Sequence, residues 1–149
     1  MKTKLFFYAL LLLTVISIGS CKYDDEIIVG NIVTFKATLN GANEVPPNTS
    51  MATGTANFKY NKTTYMLSGT VTFTGFTATA AHIHKGAEGV AGPVVIPLDV
   101  DSLVTSPITL APTLLDSTQR ADLMANLHYV NIHSELYPGG EIRGQLKKK

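Results

Sequence analysis

The sequence predicts a mainly β fold, an antiparallel sandwich or barrel of about eight short strands with one short helix. Three observations carry this. Apolar and polar residues alternate one by one through several stretches, the period at which a half-buried strand turns one face to a core. Turn signals rich in Gly, Pro and Asn separate those stretches at short intervals. Only one stretch combines helix-start chemistry with helical spacing behind it. The 149 residues are 45% hydrophobic and 15% charged, which suits one domain with a real core rather than a disordered or extended chain.

Residues 31–39 alternate cleanly, with Val33, Phe35, Ala37 and Leu39 on one face and Thr34, Lys36 and Thr38 on the other. Asn40-Gly41 is a turn, and the prolines of Glu44-Val45-Pro46-Pro47-Asn48 keep that loop out of any central strand. The second strand, residues 51–60, turns Ala52, Gly54, Ala56, Phe58 and Tyr60 inward. Asn61-Lys62 is a two-residue hairpin candidate, although lysine poorly suits the second position of that turn. Tyr65, Leu67, Gly69, Val71 and Phe73 form the apolar face of a third strand, opposite a row of threonines. A fourth strand covers residues 80–84, and Gly86, Gly89 and Gly92 then make a wide bend that returns residues 93–98 as a short strand. The glycines are no phosphate loop, since neither a Gly-Lys-Ser/Thr ending nor a following helix is present. Residues 99–107 read as loop and 108–110 as a short edge strand. Asp116 and Gln119 have capping-box spacing, with Leu123, Met124 and Leu127 on one face of the helix they open. Residues 127–134 return to strand, Pro138-Gly139-Gly140 turns, and residues 141–146 close the sheet with Ile142, Gly144 and Leu146 inward.

The ends carry addresses rather than fold. Lys2 and Lys4 precede an apolar run through Ile18, then small residues and Cys21. This is the order of a secretory signal, too short for a comfortable membrane span. Ile18-Gly19-Ser20-Cys21 resembles a bacterial lipobox, so residues 1–20 read as a lipoprotein signal peptide and Cys21 as the lipidated N-terminus. Cys21 is the single cysteine, which excludes an intrachain disulfide and fits an attachment point. Residues 21–30 form an acidic tether. Its Asp24-Asp25-Glu26 resembles the signal that sends Bacteroidetes lipoproteins to the outer cell surface, and equally reads as a solvated linker. The expected location is the cell envelope, held by acyl chains in the outer membrane and exposed at the surface. Removing residues 1–20 leaves 10 basic and 11 acidic residues, a net charge near −1. No basic stripe for nucleic acid exists. Lys147-Lys148-Lys149 reads as a frayed basic tail.

The chemistry concentrates on histidine. His82 and His84 are one residue apart on a strand and point the same way. His133, on the strand of residues 127–134, can join them to give three imidazoles for zinc or copper, with an open fourth position. The plain alternative is that all three are polar face residues bonded to neighbours. His128 faces the opposite way from His133. Glu141 and Arg143 alternate outward on the last strand and can pair beside the histidines, orienting them, or form an exposed pair contributing at most about 1 kcal/mol. Tyr129 and Asn131 can line the same patch. No paired carboxylates for glycoside chemistry, nucleophile elbow or Cys–His pair is present.

Read together, Leu39-Asn40-Gly41 with Glu44-Val45-Pro46-Pro47, Thr53-Gly54, Ala81-His82-Ile83-His84 with its glycine bend, Tyr129-Val130-Asn131-Ile132-His133 and Pro138-Gly139-Gly140-Glu141-Ile142-Arg143-Gly144-Gln145-Leu146 resemble a CHRD domain, the module named after chordin. The resemblance covers residues 31–146 and departs at Ser134, where the family often has threonine. It implies an exported β module, and no ligand carries over from chordin. The His-x-His strand and the late Arg-Gly strand are also similar to copper–zinc superoxide dismutases. Those enzymes use more histidines than the four here, which excludes a full two-metal site. The reading is therefore an envelope lipoprotein with one CHRD domain, a non-enzymatic binding or adhesion module for a protein or glycan ligand, with a metal held by the histidines. A copper- or zinc-dependent redox enzyme is the alternative.

Overall fold

The structure, a computed structural model, describes residues 29–98 and 105–149. The signal, Cys21, the acidic run and most of the loop at 99–107 lie outside the described residues. Among the described residues nine strands and one α-helix follow in order: β1 (Ile32–Asn40), β2 (Thr53–Asn61), β3 (Met66–Thr74), β4 (Ala78–Lys85), β5 (Val94–Pro97), β6 (Ile108–Leu114), α1 (Ser117–Met124), β7 (His128–Ser134), β8 (Ile142–Gln145) and β9 (Lys147–Lys148). They form one antiparallel sheet in the order β5-β4-β7-β8-β1-β2-β3-β6, with β9 beside β1, curled into a half-barrel. The predicted mainly β antiparallel class with one short helix is what forms.

Alternation decides which way each strand faces. Phe35, Leu39, Phe58, Leu67, Val71, Ile83, Val130, Ile132 and Ile142 point into the curl and are fully or almost fully buried. Each such side chain contributes roughly 1.5–3 kcal/mol by leaving water, so the inner face holds the sheet closed. The outer faces of β1, β2 and β3 carry threonines and lysines. Thr55 and Thr72 share a cross-strand hydrogen bond of 2.9 Å there.

Helix α1 opens on a full capping box. Asp116 accepts from Gln119 N at 2.8 Å and Gln119 Oε1 accepts from Asp116 N at 3.0 Å, the reciprocal cap expected from the spacing. Gln119 Nε2 also donates to Val95 O on β5, at 3.3 Å. Leu115 N, just before the helix, donates to Tyr65 O beside β3, at 3.0 Å. Leu115 and Leu123 are buried. At the far end Asn126 takes the left-handed conformation (φ 57°), which asparagine tolerates at a helix end.

Three local expectations are corrected. The β2–β3 turn is not a two-residue hairpin: Asn61 Oδ1 accepts from Thr63 N and Thr64 N at 2.8 and 3.1 Å, spreading the turn over residues 62–65. Strand β6 runs on to Leu114 past Pro112, which an edge position allows because its outer N–H groups need no partner. The terminal lysines do not fray. Lys147 and Lys148 pair with Lys36 and Phe35 of β1, and Lys147 Nζ meets Glu88 at 2.7 Å.

Candidate functional site

The register of the central strands builds the site. β4 pairs with β7 so that His82 lies opposite Asn131, His84 opposite Tyr129, and Ala80 opposite His133. β8 continues the same face, with Arg143 opposite Asn131 and Gln145 opposite Tyr129. These side chains all stand on the outer face, where water would normally reach them. Instead Tyr129, Asn131, Arg143 and Gln145 are buried, because two loops fold over the sheet.

The loop after β4 is tied down by side chains of the sheet. Arg143 Nη2 donates to Val90 O and Ala87 O at 2.9 and 3.2 Å. Gln145 Nε2 donates to Gly86 O at 3.0 Å, and Gly92 N donates to the Tyr129 hydroxyl at 3.0 Å. Glycine is required at position 92: a Cβ there would collide with the Lys85 carbonyl. The loop after β1 covers the other flank. Asn48 Nδ2 donates to Gly140 O and Glu141 O at 3.1 and 3.0 Å, and Asn43 Nδ2 donates to Arg143 O at 3.1 Å. Gly140, at φ 138°, lets Asn131 and Glu44 close on its Cα, where any Cβ would sit 2.5 Å from Asn131 Oδ1.

The three predicted histidines converge. Their ligand atoms lie within 4.8 Å of one another. His84 Nδ1–H donates to Gly92 O at 2.9 Å and His133 Nδ1–H donates to Pro138 O at 3.0 Å. A carbonyl only accepts, so each bond fixes the tautomer and leaves Nε2 unprotonated, an acceptor for a proton donor or a metal. His133 Nε2 accepts from His82 Nδ1–H at 3.2 Å, a hydrogen bond that a shared ion would replace. Two nitrogens each 2.0–2.1 Å from a tetrahedral zinc would be about 3.3 Å apart. His84 Nε2 is buried with no hydrogen-bond partner, an orphaned acceptor that a metal would satisfy.

Burial holds all three imidazoles below the ordinary histidine pKa. His82 is further lowered by His133 and His84, while the Gly92 carbonyl works against the shift at His84 and the Pro138 carbonyl at His133. Neutral rings are what a metal needs.

Around the cluster the other predicted residues divide. Tyr129 stacks on His84, ring centroids 5.0 Å apart and 12° from parallel, and Arg143 lies over its other face, 3.5 Å from the ring centre. Asn131 stands between this stack and His133 on β7, with Nδ2 at 3.5 Å from Glu44 Oε2 and from Gly139 O. The expected Glu141–Arg143 pair does not form. Glu141 Oε1 accepts from Ser50 Oγ at 2.7 Å, and the guanidinium goes to loop carbonyls. Backbone carbonyls turned inward by the glycine bend outcompeted the carboxylate, which sequence spacing alone could not reveal. His128 points to the core as expected, wholly buried with neither ring nitrogen partnered.

Sequence reasoning missed Glu44. Burial raises its carboxyl to about 7, against the lowering pull of Arg143 and the Val45 N–H. It stood in the motif Glu44-Val45-Pro46-Pro47, and an acid fixed beside two prolines was the available signal. Glu44, Val45, Pro47, Arg143 and Gln145 contribute to a cleft of about 360 Å³ between the two loops.

The fold and site define a class: a curled antiparallel β domain whose polar outer face is roofed by loops and carries a three-histidine cluster. The model of the CHRD domain matches residues 35–146, and the chain belongs to the CHRD domain family. No curated protein and no solved structure matches it.

Proposed function

We propose that this chain is a cell-envelope binding module, anchored through a lipidated Cys21, whose CHRD domain holds one zinc or copper ion with His82, His84 and His133. The convergence of three imidazoles carries the reading, two of them with tautomers fixed by backbone carbonyls. Three nitrogen donors with a fourth position left open form a legitimate transition-metal set. Tyr129 and Arg143 would hold the His84 ring in place. A two-metal dismutase centre is not supported, because His128, the remaining histidine, faces the core. The anchor rests on the lipobox-like run at Ile18-Gly19-Ser20-Cys21. Among the described residues no helix is long and apolar enough to cross a membrane, and attachment in this reading is through acyl chains.

Two measurements test it. Purified domain should bind close to one equivalent of zinc or copper in a calorimetric titration, and His84→Ala should lose most of that uptake. Only trace uptake by the wild type would overturn the metal reading. Cys21→Ala should release the chain from the membrane fraction, and unchanged retention would overturn the anchor.

A further inference from the structure

The donor set raises a charge problem. His82, His84 and His133 are neutral ligands, and among the described residues no Asp or Glu joins the group that could hold the ion. Four of the described acids are engaged elsewhere, while Glu135, two residues beyond His133, is exposed. Glu44 packs against Asn131, Glu141 accepts from Ser50, Glu88 pairs with Lys147, and Asp122 pairs with Lys85 at 2.8 Å. Behind His84, across the Tyr129 ring, sits the buried guanidinium of Arg143. It donates to two neutral carbonyls and has no ion-pair partner among the described residues. A divalent ion would therefore add two positive charges to a half-buried place where the guanidinium charge is met only by the field of Glu44, and such charge is costly unless compensated.

The surroundings say where compensation comes from. The histidines ride the outer face; His82 and His133 are partly exposed, whereas the His84 Nε2 atom is buried. On β5, Pro97 and Val94 stand opposite His82 and His84, and both are exposed. They offer an apolar border and no donor atom.

We infer that the metal held by His82, His84 and His133 takes its fourth ligand from outside the chain, a carboxylate, so that the site is a metal-bridged receptor for acidic groups. This rests on the metal reading above and adds the ligand class. The cation recruits the anion and the anion offsets the cation's charge, so each strengthens the other's binding by the same factor. Val94 and Pro97 leave room for the organic part of the ligand. An adhesion module that grips acidic groups in this way needs neither a catalytic set nor a deep pocket.

The test uses the intact domain, cobalt(II) as a visible reporter and acetate as the carboxylate probe, against perchlorate at equal ionic strength and pH 7. Acetate should change the visible bands of the cobalt-loaded domain in a saturable way. It should also raise the zinc affinity about fivefold or more over perchlorate, after correction for zinc–acetate binding in solution. Glu135→Gln, which removes the exposed acid two residues beyond His133, should respond in the same way. Cobalt uptake with bands indifferent to acetate would overturn the inference and leave the metal reading standing, the fourth ligand then being water. A response only in Glu135→Gln would also overturn it, assigning the fourth position to the chain's own Glu135. Absence of metal uptake would overturn both readings.

Discussion

Two patches of the same outer face follow the same strand alternation and end in opposite states. On β1, β2 and β3 the outward residues are threonines and lysines, such as Thr55, Thr70, Thr72 and Lys59, and all of these are exposed. On β7 and β8 the outward residues Tyr129, Asn131, Arg143 and Gln145 are buried. The sheet is continuous, so the difference lies in the loops. Gly86, Gly92 and Gly140 permit backbone approaches that a Cβ would block, and side-chain donors staple the loops down. A strand face becomes a site when something roofs it. Roofing also has a cost. Glu44 Oε1, Asn131 Oδ1, Gln145 Oε1 and His84 Nε2 are buried acceptors without partners, and such orphans persist where a ligand, ion or water is meant to meet them.

Substitution and pH reach the two patches and the core they share to different degrees. The largest effect belongs to neither outer patch. Phe58→Ala, in the shared core, should cost about 3–5 kcal/mol in urea unfolding. An effect below about 1 kcal/mol would mean that the inner face is not what holds the curl.

Next in size is pH. Glu44 is raised in the fold from 4.5 to about 7, so between those values the unfolded chain has lost a proton that the folded chain keeps. Stability should therefore fall as pH rises through that window, by up to roughly 3 kcal/mol. Glu44→Gln should flatten this slope. The histidines act with the opposite sign. Their folded values lie below 6.5, so their contribution is present above 6.5 and is lost as pH falls towards the folded values. Unfolding curves from pH 4 to 8 for wild type and Glu44→Gln separate the two.

Gly92→Ala attacks the roof itself. Its Cβ meets the Lys85 carbonyl, which should cost about 1–3 kcal/mol. It also displaces the carbonyl that orients His84, which should weaken zinc binding about 10- to 100-fold. Unchanged zinc affinity in a folded variant would detach the loop from the cluster.

The smallest effects sharpen the contrast. His128→Leu replaces two buried, unpartnered ring nitrogens with an apolar group, so stability should hold or rise while metal uptake stays unchanged. Thr70→Ala on the solvated patch should shift stability by no more than about 0.5 kcal/mol.

Much of this was legible in the residues. Alternation placed Phe35, Phe58, Leu67 and Val71 inward and set His82, His84 and His133 on the face opposite His128, because strand period is a local property. The Asp116–Gln119 cap was equally local. The burial of Arg143 and Gln145 was not legible. It depends on where residues 41–48 and 86–92 lie in space, and glycine content says that a chain can bend, not where it comes to rest. Glu44 was hidden for the same reason. The β9 pairing escaped because a run of lysines looks like a solvated tail until its backbone finds the stretch of β1 that β8 leaves unpaired.

The central claim is that three imidazoles share one ion. It is tested most directly by titrating zinc into the purified domain and into His82→Ala, His84→Ala and His133→Ala, with folding of each checked by circular dichroism. The account predicts close to one equivalent in the wild type and a large loss of affinity in all three folded variants. Equal affinity in the wild type and any one of those variants would contradict it.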